Sequence, residues 1–300
     1  MDKGNGPMQF AGARDFLVAY SRNKGALVGL LYLIGLLLAA LFAGYIFSVN
    51  PNTPYLSRTL LPPSLAYPFG TDYLGRDLLE LIIYGARTSL TVAFGAGVLL
   101  ALIGTVSGLV AGYFGGEVDG FIMRTADIFL TLPTLPLILL VAALAGPSLV
   151  NILLIIALTS WPVMARIVRS NVLAMANQEF ILVERVMGAS VKRILFDHLL
   201  PNQMSLILVY TSLSIPIVIL TEAAIEFLGL APISISWGFL LNIALSYWIQ
   251  GAWWMSFFPG FAIFSTSLAF YLISEGLKEV LTPKLKRKRE SLAVQLAGKK

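Results

Sequence analysis

Between Asp127 and Arg166 the chain reads IFLTLPTLPLILLVAALAGPSLVNILLIIALTSWPVMA, 38 residues without a formal charge. A helix rising about 1.5 Å per residue crosses a ~30 Å hydrocarbon core in about 20 residues, so this stretch holds two crossings. Gly146-Pro147-Ser148 is the turn between them. The pattern continues outward on both sides. Lys24 to Arg58 encloses 33 uncharged residues, Arg87 to Glu117 encloses 29, Asp197 to Glu222 encloses 24 and Glu226 to Glu275 encloses 48. Over all 300 residues 57% are hydrophobic and only 12% charged, against about a quarter charged in a soluble domain. That excludes a soluble enzyme, a secreted disulfide scaffold and a disordered chain. The fold class is all-α, a polytopic membrane protein.

Apolar runs and their breakers predict six transmembrane helices, at about 26–47, 88–113, 121–145, 149–168, 205–228 and 253–274. The first is too long for the apolar core of a signal peptide and is read as a retained anchor. The organisation expected is a segment 1–25, a first helix 26–47, an extracellular segment 48–87, a five-helix core 88–276 containing a loop 170–202, and a basic tail 277–300. Of the 21 Lys and Arg residues, all but Arg58, Arg76 and Arg87 fall on one side of this arrangement. The positive-inside rule puts that side, with both termini and the loop, in the cytoplasm of a cell-membrane protein.

Other counts narrow the chemistry. The chain has no cysteine and a single histidine, His198, so thiolate and two-His metal sites are absent. It contains no G-x-x-x-x-G-K-[ST] stretch for ATP. The net charge of +5 is accounted for by membrane topology and by attraction of the basic tail to anionic membrane lipid, not by nucleic acid.

Within the spans, Gly104, Gly108 and Gly112 recur every four residues on one helix face, where small side chains let backbones approach. This reads as a moving helix contact or as static packing. Pro133, Pro136, Pro162, Pro216 and Pro259 sit in or near four spans; Pro216 is the best placed for a hinge, and a fixed kink is its other reading. Glu222 and Glu226, one turn apart, share a face. They line a solute pathway, or they reach the head groups as an interfacial pair. Asp127 is expected to pair with Arg124 or Arg166.

The loop 170–202 carries an amphipathic helical stripe through Phe180, Val183, Met187, Val191, Ile194, Leu195 and Leu199, interrupted at Gly188-Ala189-Ser190. Glycine there permits a sharp turn between two short helices, and Leu200-Pro201-Asn202 is expected to stop the second. Such an elbow either lies on the lipid surface or fits a cleft in another protein.

The segment EFILVERVMGASVKRILFDHLLPN, 179–202, resembles the EAA motif of ABC-importer permease subunits. Gly188 and Leu200-Pro201 fall in register with it, while Leu182-Val183-Glu184 stands where the motif has Glu-Ala-Ala and His198 where it has Ile. Further blocks are similar to the second permease of dipeptide, oligopeptide and nickel importers: PFGTDYLGRD at 68–77, YGARTSL at 84–90, GYFGG at 112–116, EFLGL at 226–230, SWG at 236–238 and FPG at 258–260.

The resemblance implies a type I ABC importer permease with the MetI-like fold, a non-catalytic subunit forming half of a translocation pathway. Its implied partners are a second homologous permease, two ABC ATPase subunits that bind the ATP and Mg, and an extracellular solute-binding protein. No cofactor or metal is expected in this chain. Leu182, Val183, Glu184, Arg185, Gly188, Ala189, Ser190 and Pro201 are the residues expected to couple to the ATPases. Glu222, Glu226 and Pro216 are pathway candidates; Asp72, Arg76 and Asp77 are candidates for docking the binding protein or for clasping their own loop. The cargo implied is di- or oligopeptide, with oligosaccharide and nickel as alternatives. A passive channel or ion-coupled carrier is a rival class, against which stands the near absence of charge at mid-membrane.

Overall fold

The computed structural model describes residues 13–47, 53–146, 148–230 and 234–281. The segment before residue 13 and the tail after residue 281 lie outside the described residues, as does Pro147 of the expected turn. The architecture is all-α: among the described residues no strand is present. In chain order the helices are α1 (Ala13–Ser21), α2 (Lys24–Ile46), α3 (Leu78–Phe114), α4 (Gly116–Thr131), α5 (Thr134–Ala145), α6 (Leu149–Ala176), α7 (Glu179–Val186), α8 (Val191–Arg193), α9 (Leu200–Ile225), α10 (Trp237–Leu245) and α11 (Trp254–Leu281). Among the described residues five stretches are long and apolar enough to cross a membrane: α2, α3, α6, the run Val191–Leu230 containing α9, and α11; α4 and α5 together make a sixth if their bend is one broken span.

Three boundaries differ from expectation for identifiable reasons. The second span begins at Leu78, not 88, so ten residues assigned to the extracellular segment 48–87 are helix. Asp77 caps that helix, its Oδ1 accepting the Leu79 amide at 2.9 Å. Burial pushes the Asp77 carboxyl up, and the amides of Leu79 and Glu80 oppose that shift. The third span is bent by 93° between Thr131 and Thr134. Leu132 precedes a proline and is forced from the helical region, to φ −80°, ψ 139°.

Finally, Pro201 does not stop a helix. The six residues Ile194–Leu199 form a wide π turn, in which the Leu200 amide reaches back five residues to the Leu195 carbonyl, and α9 follows without a break. Asn202 Nδ2 then donates to the His198 carbonyl at 2.7 Å.

The core of the fold is the parallel pair α3–α6, in which Gly95 meets Leu153 near one end and Gly112 meets Val172 near the other. An added Cβ at Gly104 would sit 2.5 Å from Met164 Cβ, at Gly108 2.6 Å from the Ala165 carbonyl oxygen, and at Gly112 2.8 Å from Val172 Cβ. The four-residue spacing is therefore the seam on which α6 lies. α9 packs on the other side of α3, and α11 joins it to α2. The start of α2 meets the end of α11, where Asn23 Nδ2 donates to Glu279 Oε2 at 3.0 Å. At 37 residues, α3 is about 55 Å long, well beyond a ~30 Å apolar core. Its last turn consequently projects toward the elbow.

Candidate functional site: the elbow and the outer latch

The elbow is built by two local signals in series. At the end of α7 the Ala189 amide bonds the Glu184 carbonyl at 3.0 Å and the Gly188 amide bonds the Arg185 carbonyl at 3.1 Å. That pair is a Schellman stop, which needs a left-handed residue after the helix, and Gly188 supplies it at φ +77°. Ser190 restarts the chain as a helix, its hydroxyl accepting the Arg193 amide at 3.3 Å. The expected pair of short helices with a glycine corner is present.

One face of the elbow is anchored inward. Ile181, Ile194 and Leu199 are fully enclosed with Leu109 of α3, Met164, Val168 and Val172 of α6, and Ile207 of α9, while Ala189 packs at the margin. Arg185 stacks over the Tyr113 ring at 4.7 Å, tying α7 to the projecting end of α3. Glu184 faces Arg193 at 3.9 Å and His198 at 3.6 Å, so it braces the two arms of the corner against each other. The other face is bare. Val186 is 88% and Met187 78% exposed at the tip, with Leu182, Val183 and Phe180 also exposed beside them. The elbow is thus an apolar knob fixed to three spans.

Beside it, Asp119 of α4 makes a two-pronged ion pair with Arg169 of α6. Asp127 pairs with Arg166, one of its two expected partners.

At the opposite ends of the same helices lies a second cluster. Glu222 and Glu226 are both 0% exposed, so this arrangement does not support the head-group reading. Ser89 of α3 donates to Glu222 Oε1 at 3.0 Å, and the Ser236 hydroxyl donates to Glu226 Oε2. Ser236 also caps α10 by accepting the Phe239 amide, and Trp237 Nε1 donates to the Ile82 carbonyl of α3 at 3.0 Å. At Gly238 a Cβ would sit 2.7 Å from the Ala223 backbone, so α10 is pressed flat on α9. The two glutamates latch α10 onto α3 and α9. Pro216 lies inside an unbroken α9; the departure from helical geometry comes later, at Gly229, with φ +85°. Ser89, Ser236 and Trp237 were legible only as parts of family-like blocks, not as partners of these acids.

Ser236→Ala removes the donor to Glu226 and the α10 cap together, and a lost cap alone costs about 1 kcal/mol. Hydrogen exchange across 236–245 is expected to accelerate roughly tenfold or more in that variant, with Ser236→Thr close to the parent. Unchanged exchange in Ser236→Ala would remove the latch.

Asp72 and Arg76 are 1% and 9% exposed. Asp72 Oδ1 accepts the amides of Leu74 and Arg76 at 2.9 and 2.8 Å, and its Oδ2 takes Arg76 Nε at 2.7 Å and Nη2 at 2.5 Å. Their side chains clasp the loop between residues 53 and 77 instead of facing outward. Aromatic stacking holds that loop over α11 and the turn that follows α10: Phe69 on Phe258 at 4.0 Å and Tyr73 on Tyr247 at 5.2 Å.

Comparison with known proteins adds an independent line. Residues 104–287 match the family model described as binding-protein-dependent transport system inner membrane component, and residues 13–63 match that of the N-terminal TM domain of oligopeptide transport permease C. The chain is 40% identical over 269 residues to the dipeptide transport system permease protein DppC of Bacillus subtilis (strain 168), covering 89% of this chain and 84% of that one. It is 40% identical over 289 residues to DppC of Escherichia coli (strain K12), covering 94% and 96%. To the oligopeptide transport system permease protein OppC of Bacillus subtilis it is 38% identical over 280 residues, covering 91% and 90%.

Proposed function

Because the chain belongs to the family of binding-protein-dependent transport system inner membrane components, permeases of ABC importers, we propose that it carries di- and oligopeptides across the cell membrane. It does so as one half of a pathway completed by a second, homologous permease. Two ATPase subunits dock on the elbow side, which faces the cytoplasm together with both termini. They hold the ATP and Mg2+ and perform the hydrolysis; this chain has no catalytic role and carries no cofactor. A solute-binding protein delivers peptide on the opposite side, over the clasped loop, whose shape Asp72, Arg76 and Asp77 maintain.

The observation that carries this reading is the knob. Val186 and Met187 present apolar surface at the tip, and the cluster around Ile181, Ile194 and Leu199 joins that tip to α3, α6 and α9. A displacement imposed on the knob is therefore passed to three spans as a rigid-body motion. Close-packed cores of this kind shift between discrete arrangements, as an alternating inward-open and outward-open cycle demands. The latch at Glu222 and Glu226 ends the same lever: α9 leaves the elbow and arrives at the acids. A path role for these glutamates is realised when α10 lifts.

The test is to replace Val186 and Met187 together with glutamate. Both side chains are exposed, so insertion and folding are expected to persist. Co-purification with co-expressed ATPases is expected to fall by tenfold or more, and dipeptide uptake into reconstituted vesicles supplied with binding protein and ATP should drop to the ATP-free level. Normal uptake by this double variant would overturn the proposal.

A further inference from the structure

Arg87 lies ten residues inside α3, on the exposed face that turns toward α2. Its Nε donates to the Ala40 carbonyl at 2.5 Å and its Nη2 to the Leu41 carbonyl at 3.0 Å, both on α2. The guanidinium rests over the Tyr84 ring at 5.1 Å. The side chain stays exposed, and among the described residues no carboxylate lies within ion-pair reach of it. A full charge in a spanning helix is costly unless something compensates it. Backbone carbonyls offer partial charge only, so a counter-ion is called for.

Directly against this arginine, α2 and α3 diverge to leave a groove of about 350 Å3. Leu37 and Leu41 of α2 form one wall; Ala86, Leu90 and Phe94 of α3 form the other, with Thr91 at the rim. The polar end is the guanidinium and the rest is hydrocarbon. Depth fits as well. Arg87 stands about 14 Å along α3 from its first residue, and Leu41 about 8 Å before the end of α2. Both place the charge near the apolar–polar boundary of the leaflet opposite the elbow, where phosphodiester groups lie.

We propose that this groove binds one anionic phospholipid of the phosphatidylglycerol type, its phosphate on Arg87 and an acyl chain between α2 and α3. Guanidinium and phosphate form charge-assisted hydrogen bonds roughly twice as strong as neutral ones. The lipid then joins the first span to the rest of the bundle along a face where direct helix contact gives way to the groove. The site does not depend on the cargo or on the identity of the ATPases.

The experiment is native mass spectrometry of the full-length chain in detergent, titrated with phosphatidylglycerol, diacylglycerol or inorganic phosphate. The parent is expected to hold one phosphatidylglycerol through activation that strips other lipids, and to bind diacylglycerol at least about tenfold less tightly. Phosphate alone should neither bind nor displace it. Arg87→Gln, and independently Thr91→Trp, which fills the groove from an exposed position without touching the arginine's charge, should each weaken lipid binding by about tenfold or more; Arg87→Lys should restore most of it. Equal binding by Thr91→Trp and the parent, equal retention of diacylglycerol, or displacement by phosphate overturns the proposal. So does a result in which Arg87→Gln keeps its lipid but loses co-purification with a co-expressed second permease, since the counter-ion would then be a carboxylate of that subunit.

Discussion

Gly108→Leu is expected to leave little folded protein in the membrane. The added Cβ meets the Ala165 carbonyl at 2.6 Å and Val168 Cβ at 2.7 Å. Neither is the far end of a flexible chain: one is backbone and the other is fixed by the β-branch of a fully buried valine. The two helices must part, and because Gly104 and Gly112 hold the neighbouring turns equally close, parting is not local. Overpacking a well-fitted interior costs about 1–3 kcal/mol and occasionally more; a helix displaced along its length belongs at the upper end. Membrane helices have little hydrophobic drive to recover the contact, since lipid is as apolar as leucine. Size-exclusion chromatography of detergent extracts should show the monodisperse peak reduced by about tenfold or more. Gly35→Leu, where nothing lies within 4 Å of a Cβ on α2, is the matched control and should behave as the parent. Comparable loss in both would mean that leucine in any span, not the α3–α6 seam, is at fault.

Asp72→Ala should produce the second large effect. Four hydrogen bonds converge on that carboxylate, two from loop amides and two from the Arg76 guanidinium. Removing one partner of a buried ion pair costs about 3–5 kcal/mol, because the remaining charge was desolvated for the pair. The loop between residues 53 and 77 should become protease-sensitive, and the thermal midpoint should fall by several degrees; Asp72→Asn, which keeps an acceptor oxygen, should lose less. If instead the loop stays intact and only stimulation by the binding protein declines, the side chain acts by docking and not as a clasp.

Much of this arrangement was legible in the sequence because it rests on local chemistry. The glycine corner at 188 follows from a helical stripe broken by Gly-Ala-Ser, and the small-residue face of α3 from spacing alone. The ten residues missed at the start of α3 were obscured by Glu80 and Arg87, whose charges mimic a loop; the Asp77-x-x-Glu80 pattern is a capping signal that outweighs them. Pro201 looks like a stop in sequence, but a proline ends a helix only when nothing else accommodates its missing amide, and the π turn before it does so. The partners of Glu222 and Glu226 are beyond any sequence pattern. Ser89 is 133 residues from Glu222, and only the folded bundle brings the two together.

The wide turn at Ile194–Leu199 also sets an angle. It stores one surplus residue relative to an ordinary helical turn, and a single residue is worth about 100° of rotation about the axis. Everything downstream, from Gln203 buried against α6 to Glu222 about 28 Å farther on, points where it does because of that surplus. The azimuth of the far end is thus dialled at the root of the shaft, by a residue count and not by any contact made along the way.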